Sequence, residues 1–420
     1  MSRRVAVIGA GAVGAACALV LAREGHRVVL IEPAKPGGEQ AASYGNAGWI
    51  SPESVVPVAM PGLWRKLPRM LVDPEGPLTI RPPALPGLAP WMLRFLTANA
   101  TAGRAARTAK ALAALLHDAV ERHEALAALA GRPDLVTRSG HLYVWRDRTG
   151  FEADRFSWAL RRAAGLSWLE LSSDELAQRE PALSREWRFG VLVEAGGQVR
   201  DPAALVAAFA KAAEDFGADG ICARATGFRL EGGRLRAVET ERGAIDADTA
   251  VIAAGIGSGA LARLAGDRIP LASERGYHVT ISDPEATVRT PVMAAELKAP
   301  LTPMEGGLRV AGQVELAAID DPPDWRRAAI LERIAHRLLP GLPQPLPRER
   351  IALWMGHRPS VADGLPAIGP ARASADILYA FGHGHVGLAA APKTAALVAD
   401  LIAGRPPCID PAPYSPARFR

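Results

Sequence analysis

The N-terminal stretch constrains this chain more than any other feature. Arg4 to Ile8 (Arg-Val-Ala-Val-Ile) is a short apolar run of the kind that makes a buried parallel strand. It enters Gly9-Ala10-Gly11-Ala12-Val13-Gly14, after which Ala15 to Arg23 is rich in Ala and Leu with no helix breaker. Gly25 stops that helix, and Val28 to Ile31 forms a second apolar strand ending on Glu32. The glycines have separate tasks. Gly9 permits the tight turn, Gly11 lets a pyrophosphate approach the backbone, and Gly14 lets the helix pack closely on the strand. Phosphate charge would sit at the helix start, where free N–H groups and the helix dipole favour an anion. Glu32 can accept hydrogen bonds from a ribose diol and would repel a 2′-phosphate. Strand, turn, helix, strand and terminal acid in this order read as a dinucleotide-binding unit.

The rest of the composition narrows the class. A chain of 420 residues exceeds what one hydrophobic core usually supports, so two domains are expected. Cys17, Cys222 and Cys408 are far apart, which gives neither a disulfide framework nor a metal cluster and fits a reducing compartment. The basic start Met1-Ser2-Arg3-Arg4 resembles a secretory signal, but the three glycines and then Arg23-Glu24 interrupt the apolar part. No apolar run is expected to reach the roughly 18 residues that a membrane span needs. A cytoplasmic protein is the expectation. The net charge of +5 is carried by scattered Lys and Arg residues, which argues against a nucleic-acid partner.

Later segments return to the same architecture. Gly37 to Ser51 is a polar, glycine-bearing loop whose small residues around Ser43 and Asn46 suit a backbone wrapped around a bulky ligand. Asp201 and Pro202 cap a helix from Ala203 to Phe216, and strands are expected over Asp219 to Thr226 and Ala237 to Glu241. Thr249 to Gly255 is a buried strand ending in small residues. Ile377 to Phe381 is another apolar strand, entering Gly382-His383-Gly384-His385-Val386-Gly387-Leu388 and a helix that runs to Ala403 and stops at Gly404. Between these lie pieces of different character: an Ala-rich helix over Arg107 to Ala130, a strand pair around Val136 to Trp145, the alternating strand Gly276 to Ile281, a hairpin through Glu305-Gly306-Gly307, and an amphipathic helix from Trp325 to Leu339. The organisation is α/β. A discontinuous Rossmann-like domain (1–51, 191–269 and 351–420) carries an inserted domain of antiparallel β-sheet plus helices (52–190 and 270–350).

With these residues assembled, the chain resembles the FAD-dependent D-amino-acid oxidase family, most closely its bacterial D-amino-acid dehydrogenase branch. The resemblance covers nearly the whole length. It rests on Gly9 to Gly14 with Glu32, on Ser43-Tyr44-Gly45-Asn46-Ala47-Gly48 followed by Ile50-Ser51-Pro52, on Gly356-His357-Arg358-Pro359, on Asp363 to Gly369, and on Gly382-His383-Gly384. It implies noncovalent FAD. The implied contacts are Gly9, Gly11, Ala12, Val13, Gly14, Glu32 and Pro33 at the first turn, and Ala42, Ser43, Asn46, Ala47 and Gly48 in the loop. Val199, Ala254 and Gly255 follow, with Gly384, His385, Val386, Gly387 and Leu388 at the last turn. It also implies that Arg358 grips a substrate α-carboxylate, because a guanidinium fork bonds a carboxylate with two parallel hydrogen bonds. Tyr277 and His278 lie on a strand where family members present substrate-facing side chains, and alternation allows only one of them to face the pocket. No metal site is expected: His383 and His385 have no acidic or cysteine partner at ligand spacing.

The activity so implied is oxidative deamination of D-amino acids to 2-oxo acids and ammonia, by hydride transfer from the α-carbon to flavin N5. A cyclic or secondary amino acid, such as D-proline, hydroxy-D-proline or sarcosine, is the alternative. The dehydrogenase branch implies a quinone or other respiratory carrier as electron acceptor, with O2 as the oxidase alternative. Trp64, Arg65, Lys66, Arg69, Met70 and Leu71 put apolar and basic residues together, which suggests peripheral contact with the inner face of the plasma membrane.

Overall fold

The computed structural model describes residues 2–65, 73 and 75–420. Its first sheet has the order Asp219–Ile221, Arg27–Ile31, Arg4–Ile8, Thr249–Ile252, Ile377–Phe381 and Ala367–Pro370, with every pair parallel except the last. Alternation along Arg4–Ile8 splits the core into two layers. Val5 and Val7 pack under the helices Ala12–Arg23, Pro202–Asp215 and Gly387–Ala403, with Leu19, Phe209 and Val398 among the buried partners. Ala6 and Ile8 face the other way, toward Leu235, Val238 and Leu261 of a small antiparallel sheet and the helix Ser258–Leu264. A strand buried on both faces needs an unbroken apolar run, which is what Val5 to Ile8 provides.

A second, larger sheet stands beside the first. Its order is Ile351–Val361, Leu271–Ile281, Gly307–Leu316, Ala299–Met304, Val292–Ala294, His141–Trp145, Phe189–Val193 and Leu169–Leu171, and Leu78–Ile80 pairs along Gly307–Leu316. The helix Arg326–Leu338 covers one face with Ala328, Leu331, Ala335 and Leu338, a stripe at helical spacing. The helix Gly387–Ala403 closes on Gly404 at φ +65, whose N–H bonds back to the last turn. By length and composition the segment Gly384–Ala403 could cross a membrane, yet 78% of its apolar window is buried inside the fold, as befits a core helix.

Both expected sheet types are present, and several local expectations need correction. Val136–Thr137 and His141–Trp145 are not a pair. The first joins Gly197–Val199 and the second joins Phe189–Val193, because Gly140 at φ +65 turns the chain between them. The Ala-rich helix is two helices, Ala102–Leu116 and Ala119–Leu129. Asp118 at the break accepts from Lys393 and Arg122. The strand expected at Ala237 to Glu241 is Arg234–Thr240, and it belongs to the small antiparallel sheet. Ile351–Val361 lies on the far side of the boundary expected at residue 350, pairing with Leu271–Ile281 in the large sheet.

The last residue is tied back to the first sheet through a buried carboxylate. Asp267, which is 4% exposed, accepts from the Arg372 N–H, the Tyr379 hydroxyl and the Arg420 guanidinium. Burial pushes this carboxyl up, but those donors outweigh it and hold it below the usual carboxylate range. A depressed pKa stabilises the fold above the unfolded-state value, and the contribution is lost as pH falls through the folded value. Asp267→Asn is therefore expected to lower unfolding free energy by about 1.5–3 kcal/mol at pH 7, the worth of hydrogen bonds to a charged group. Thermal melts of both proteins across the acid range should converge as the wild-type carboxylate becomes protonated; a pH-independent difference would exclude this account.

Candidate active site

At the C-terminal edge of the parallel sheet, three backbones meet around the first glycine turn. The Gly9 N–H donates to Ile31 O at 2.8 Å, and the Ala253 N–H donates to Ile8 O at 2.8 Å. Gly9 has φ +101, and a Cβ there would lie 2.5 Å from the Ala253 carbonyl oxygen. A Cβ on Gly14 would strike the Gly9 carbonyl, so the helix sits directly on the turn. Gly11 is different. A Cβ there would meet nothing nearer than Ser43 Oγ at 3.8 Å, so the space beside it is open. The helix Ala12–Arg23 begins on Gly11 with no side-chain cap and no acid in its first turn, which leaves its N–H groups free for an anion. Ser43 Oγ is buried at this point and has no hydrogen-bond partner among the described residues. Glu32 accepts from the Ala10 N–H at 2.8 Å, and burial raises its carboxyl above the ordinary value.

This turn opens into a cavity of about 890 Å³ that runs from the end of the parallel sheet to the face of the large sheet. That is near the upper end of the size expected for a cofactor or ligand site. The residues expected around the cofactor line it, with the exceptions of Gly14, Gly48, Val199 and Val386. Gly14 acts through the helix contact described above. Gly48, at φ +73, accepts from the Val199 N–H at 2.7 Å, so this pair anchors the loop edge behind the wall. Val386 lines a smaller adjoining cavity. The loop itself is pinned by half-buried Arg309, which donates to the Tyr44 and Asn46 carbonyls. The residues present fit FAD on three counts: the open cradle at Gly11, the unsatisfied Ser43 hydroxyl beside it, and Gly387 and Leu388 lining the cavity at the start of a second uncapped helix.

Arg358 reaches the cavity from the strand Ile351–Val361. Its guanidinium lies over Gly276, where any Cβ would collide with it, and donates to Gln313 O at 3.2 Å. Gly312 and Gln313 carry φ of +148 and +56, a bulge that turns this carbonyl toward the arginine. Among the described residues Arg358 makes no salt bridge, and burial lowers its pKa, with Glu274 opposing that effect. A buried guanidinium without an anionic partner carries an uncompensated desolvation cost in such a setting.

Tyr277 and His278 do not reach the cavity. Tyr277 points to the helix side, where its hydroxyl donates to Glu315 at 2.6 Å and accepts from the Asp324 N–H at 2.9 Å. His278 points to the cavity side, as alternation requires, but the ring of its cross-strand partner Trp354 covers it. The two rings stack at 5.2 Å, and His278 Nδ1 lies 3.2 Å from Gly45 O. Trp354 is the residue that lines the cavity. Burial pushes His278 down to about 3, so the imidazole is neutral at working pH. His385 lines the cavity and is pushed down to about 4 by burial, with Arg358 adding to the effect. His383 is 3.0 Å from Thr394 Oγ1, which fixes the turn to the helix behind it.

Trp49, in the loop expected to wrap a ligand, lines the cavity, and sequence reasoning missed Tyr143, Gln313 and Glu274, which line it as well. For Glu274 a signal existed, since it shares a strand face with Gly276 and His278. Tyr143 carried none, because its wall is built by a long-range network. Glu53 and His141 are fully buried, with Nδ1 2.6 Å from Glu53 Oε1 and Nε2 2.9 Å from Gly197 O. Burial alone would raise Glu53, but His141 pulls it below the usual range. Trp49 stacks on His141 at 4.0 Å, and the Tyr143 hydroxyl donates to Glu53.

Comparison with known proteins agrees with this geometry. A family model described as FAD dependent oxidoreductase matches residues 4–401. The chain is 51% identical over 417 residues to a D-amino-acid oxidase of Bradyrhizobium diazoefficiens, covering 99% of both chains. It is 34% identical to D-amino acid dehydrogenase 2 of Ralstonia nicotianae, covering 99% of this chain and all of that one. Among solved structures, glycine oxidase from Geobacillus kaustophilus superposes over the full length of both chains with a TM-score of 0.76 at 23% identity, a likeness of fold.

The open space at Gly11 yields a test that separates binding from folding. Gly11→Val is expected to leave the apo protein folded, since its Cβ meets no backbone, while its branches fill the phosphate cradle. The mutant should melt within about 1 kcal/mol of apo wild type and purify without flavin absorbance. Full flavin occupancy in a folded mutant would move the phosphate site elsewhere.

Proposed function

This chain belongs to the DAO family of FAD-dependent oxidoreductases, and from that premise we propose that it oxidises D-amino acids to imino acids, which hydrolyse to 2-oxo acids and ammonia. The observation that carries the reading is Arg358, a guanidinium without a carboxylate partner among the described residues, facing the cavity that holds the phosphate cradle. Bound FAD would supply the acceptor for the two electrons and the proton leaving the substrate α-carbon. Gly9, Gly11, Ser43 and the first turn of Ala12–Arg23 would hold the pyrophosphate, and Glu32 the ribose. The free N–H groups at Gly387 would meet the electron-rich edge of the ring. Arg358 would fix the substrate carboxylate, and the Gln313 carbonyl would fix Arg358. The part of these residues in the chemistry is orientation.

On this reading the parallel sheet with its helices forms the cofactor-binding part and the large sheet the substrate-binding part, with Ile351–Val361 assigned to the latter. The two relatives' names divide between oxidase and dehydrogenase, so the acceptor is set by experiment: hydrogen peroxide release in air marks O2, and dye or quinone reduction without peroxide marks a respiratory carrier. Of the segment considered for membrane contact, Trp64 and Arg65 are exposed. Lys66, Arg69, Met70 and Leu71 lie outside the described residues.

The reading is tested by anaerobic bleaching of bound flavin with D- and L-amino acids, N-methyl amino acids and cyclic imino acids. D-Amino acids are expected to bleach fastest, and preference for D-proline derivatives or sarcosine would select the cyclic or secondary amine alternative. Arg358→Ala should keep its flavin and lose about 2–5 kcal/mol of transition-state binding, the typical cost of truncating one partner of a desolvated charge pair. That is a fall in kcat/KM of roughly 30-fold to several thousand-fold. Arg358→Lys should recover only part, since an ammonium keeps the charge without the fork. Near-normal kinetics in flavin-loaded Arg358→Ala would remove Arg358 from the site.

A further inference from the structure

Leu271–Ile281 and Ile351–Val361 are antiparallel neighbours, and their register places Glu274 directly opposite Arg358. Residues opposite one another across an antiparallel pair project from the same face. Both side chains line the main cavity, and Glu274 also lines the smaller cavity beside it. Glu274 is only 7% exposed. The two nevertheless do not form a salt bridge, whereas Arg275 and Glu315 on the opposite face of the sheet pair at 3.3 Å. Two opposite charges held side by side in a desolvated cavity, and left unjoined, match a ligand that carries both signs on one carbon.

We propose that Glu274 receives the α-ammonium group of the substrate and accepts a proton from it, so that Arg358 and Glu274 together form a slot for an amino-acid zwitterion. The inference rests on the amino-acid reading above and adds a catalytic residue to it. The step is balanced: Glu274 carboxylate and substrate ammonium become Glu274 carboxylic acid and neutral amine, and the proton passes to solvent after product leaves. The lone pair so freed is what imine formation requires.

The surroundings shift this carboxyl toward its protonated form, the direction a proton acceptor needs. Burial raises Glu274 above its ordinary value, with Arg358 and the Ser360 hydroxyl opposing. From the other elements around these cavities, the titratable groups are Arg358 and His357 on the paired strand, His383 and His385 on the glycine turn, and Glu32, Tyr143, Arg224 and Lys298 on the larger cavity. His383 and His385 are pushed down to about 3 and about 4 by burial, and His357 is also lowered, so the three imidazoles stay neutral. Phe95, Asn99 and Leu112 bring no charge to the smaller cavity.

The test compares flavin-loaded wild type with Glu274→Gln and Glu274→Asp, using a D-amino acid that reduces the wild-type flavin and propionate as a carboxylate without an amine. In Glu274→Gln, kcat/KM at pH 7 should fall roughly 10²–10⁴-fold, the usual worth of a general base. It should then climb about tenfold per pH unit as the substrate ammonium loses its own proton, approaching wild type in alkali. Propionate, read by its perturbation of the flavin spectrum, should bind the Gln variant at least as tightly as wild type. Glu274→Asp should retain the wild-type pH profile at reduced rate. A Gln variant whose loss is the same at every pH, or that loses propionate as well, would overturn the proposal, since a carboxylate that merely balances Arg358 or supports the fold behaves so. If no amino acid bleaches wild type, the amino-acid reading itself falls and this inference with it.

Discussion

The close approach of three backbones at the first glycine turn is the constraint on which the rest of the molecule depends. The Gly9 N–H is satisfied by Ile31, Ala253 is satisfied by Ile8, and Gly14 lies against the Gly9 carbonyl. Those contacts fix the level at which neighbouring parallel strands end. They also decide that the helix Ala12–Arg23 starts at the cavity with its own N–H groups unspent. A side-chain cap there would stabilise the isolated helix by about 1 kcal/mol. The chain forgoes it and carries glycine at that position, which leaves the donors for a ligand. The helix Gly387–Ala403 likewise starts without a side-chain cap or an acid in its first turn, with Val386 at the cap position.

The second sheet must then be held at a set distance from that edge, and aromatic packing supplies much of the linkage. The Trp354 ring rests over Gly45 and Gly356, where any side chain would displace it, and its Nε1 donates to Glu39 O at 2.9 Å. Trp49 works from the other side, stacking on His141 and donating to Thr302 at 2.9 Å. Behind it, both nitrogens of His141 face acceptors, Glu53 and the Gly197 carbonyl, which fixes the orientation of the ring.

How much of this was legible in the sequence follows from the range of each interaction. The glycine turn, Glu32, the Asp201 cap and the strand Ile377–Phe381 were readable because their physics is local: a positive φ, a cap three residues from its donor, an apolar run. Arg358 was placed through a four-residue motif. The helix break at Asp118 was not readable, because its partner Lys393 lies 275 residues away. Nor was the covering of His278, since alternation gives the face of a strand but not what lies on it. Val136–Thr137 and His141–Trp145 misled because proximity in sequence suggested pairing, while each found its partner strand elsewhere.

Glu274 and Arg275 show how far this limit extends. They are adjacent in sequence, opposite in charge and buried to similar degree, and composition treats them as one ion pair. Strand geometry sends them to opposite faces. On the Arg275 side the loop 318–322 folds over the sheet, and the guanidinium is consumed by Glu315 and by the carbonyls of Ala318, Ile319, Asp321 and Pro322. Removing either member of that cluster strands a charge in the core, so its role is to hold the loop. On the Glu274 side Val58, Phe95 and Asn99 cover a cavity without bonding the carboxylate, and the facing arginine bonds a single backbone carbonyl among the described residues. The two faces differ in what is left unspent, and an unspent buried charge can persist only if something that visits the cavity repays its desolvation. The chemistry of this protein is therefore written less in which residues it places at the site than in which of their bonds the fold declines to complete.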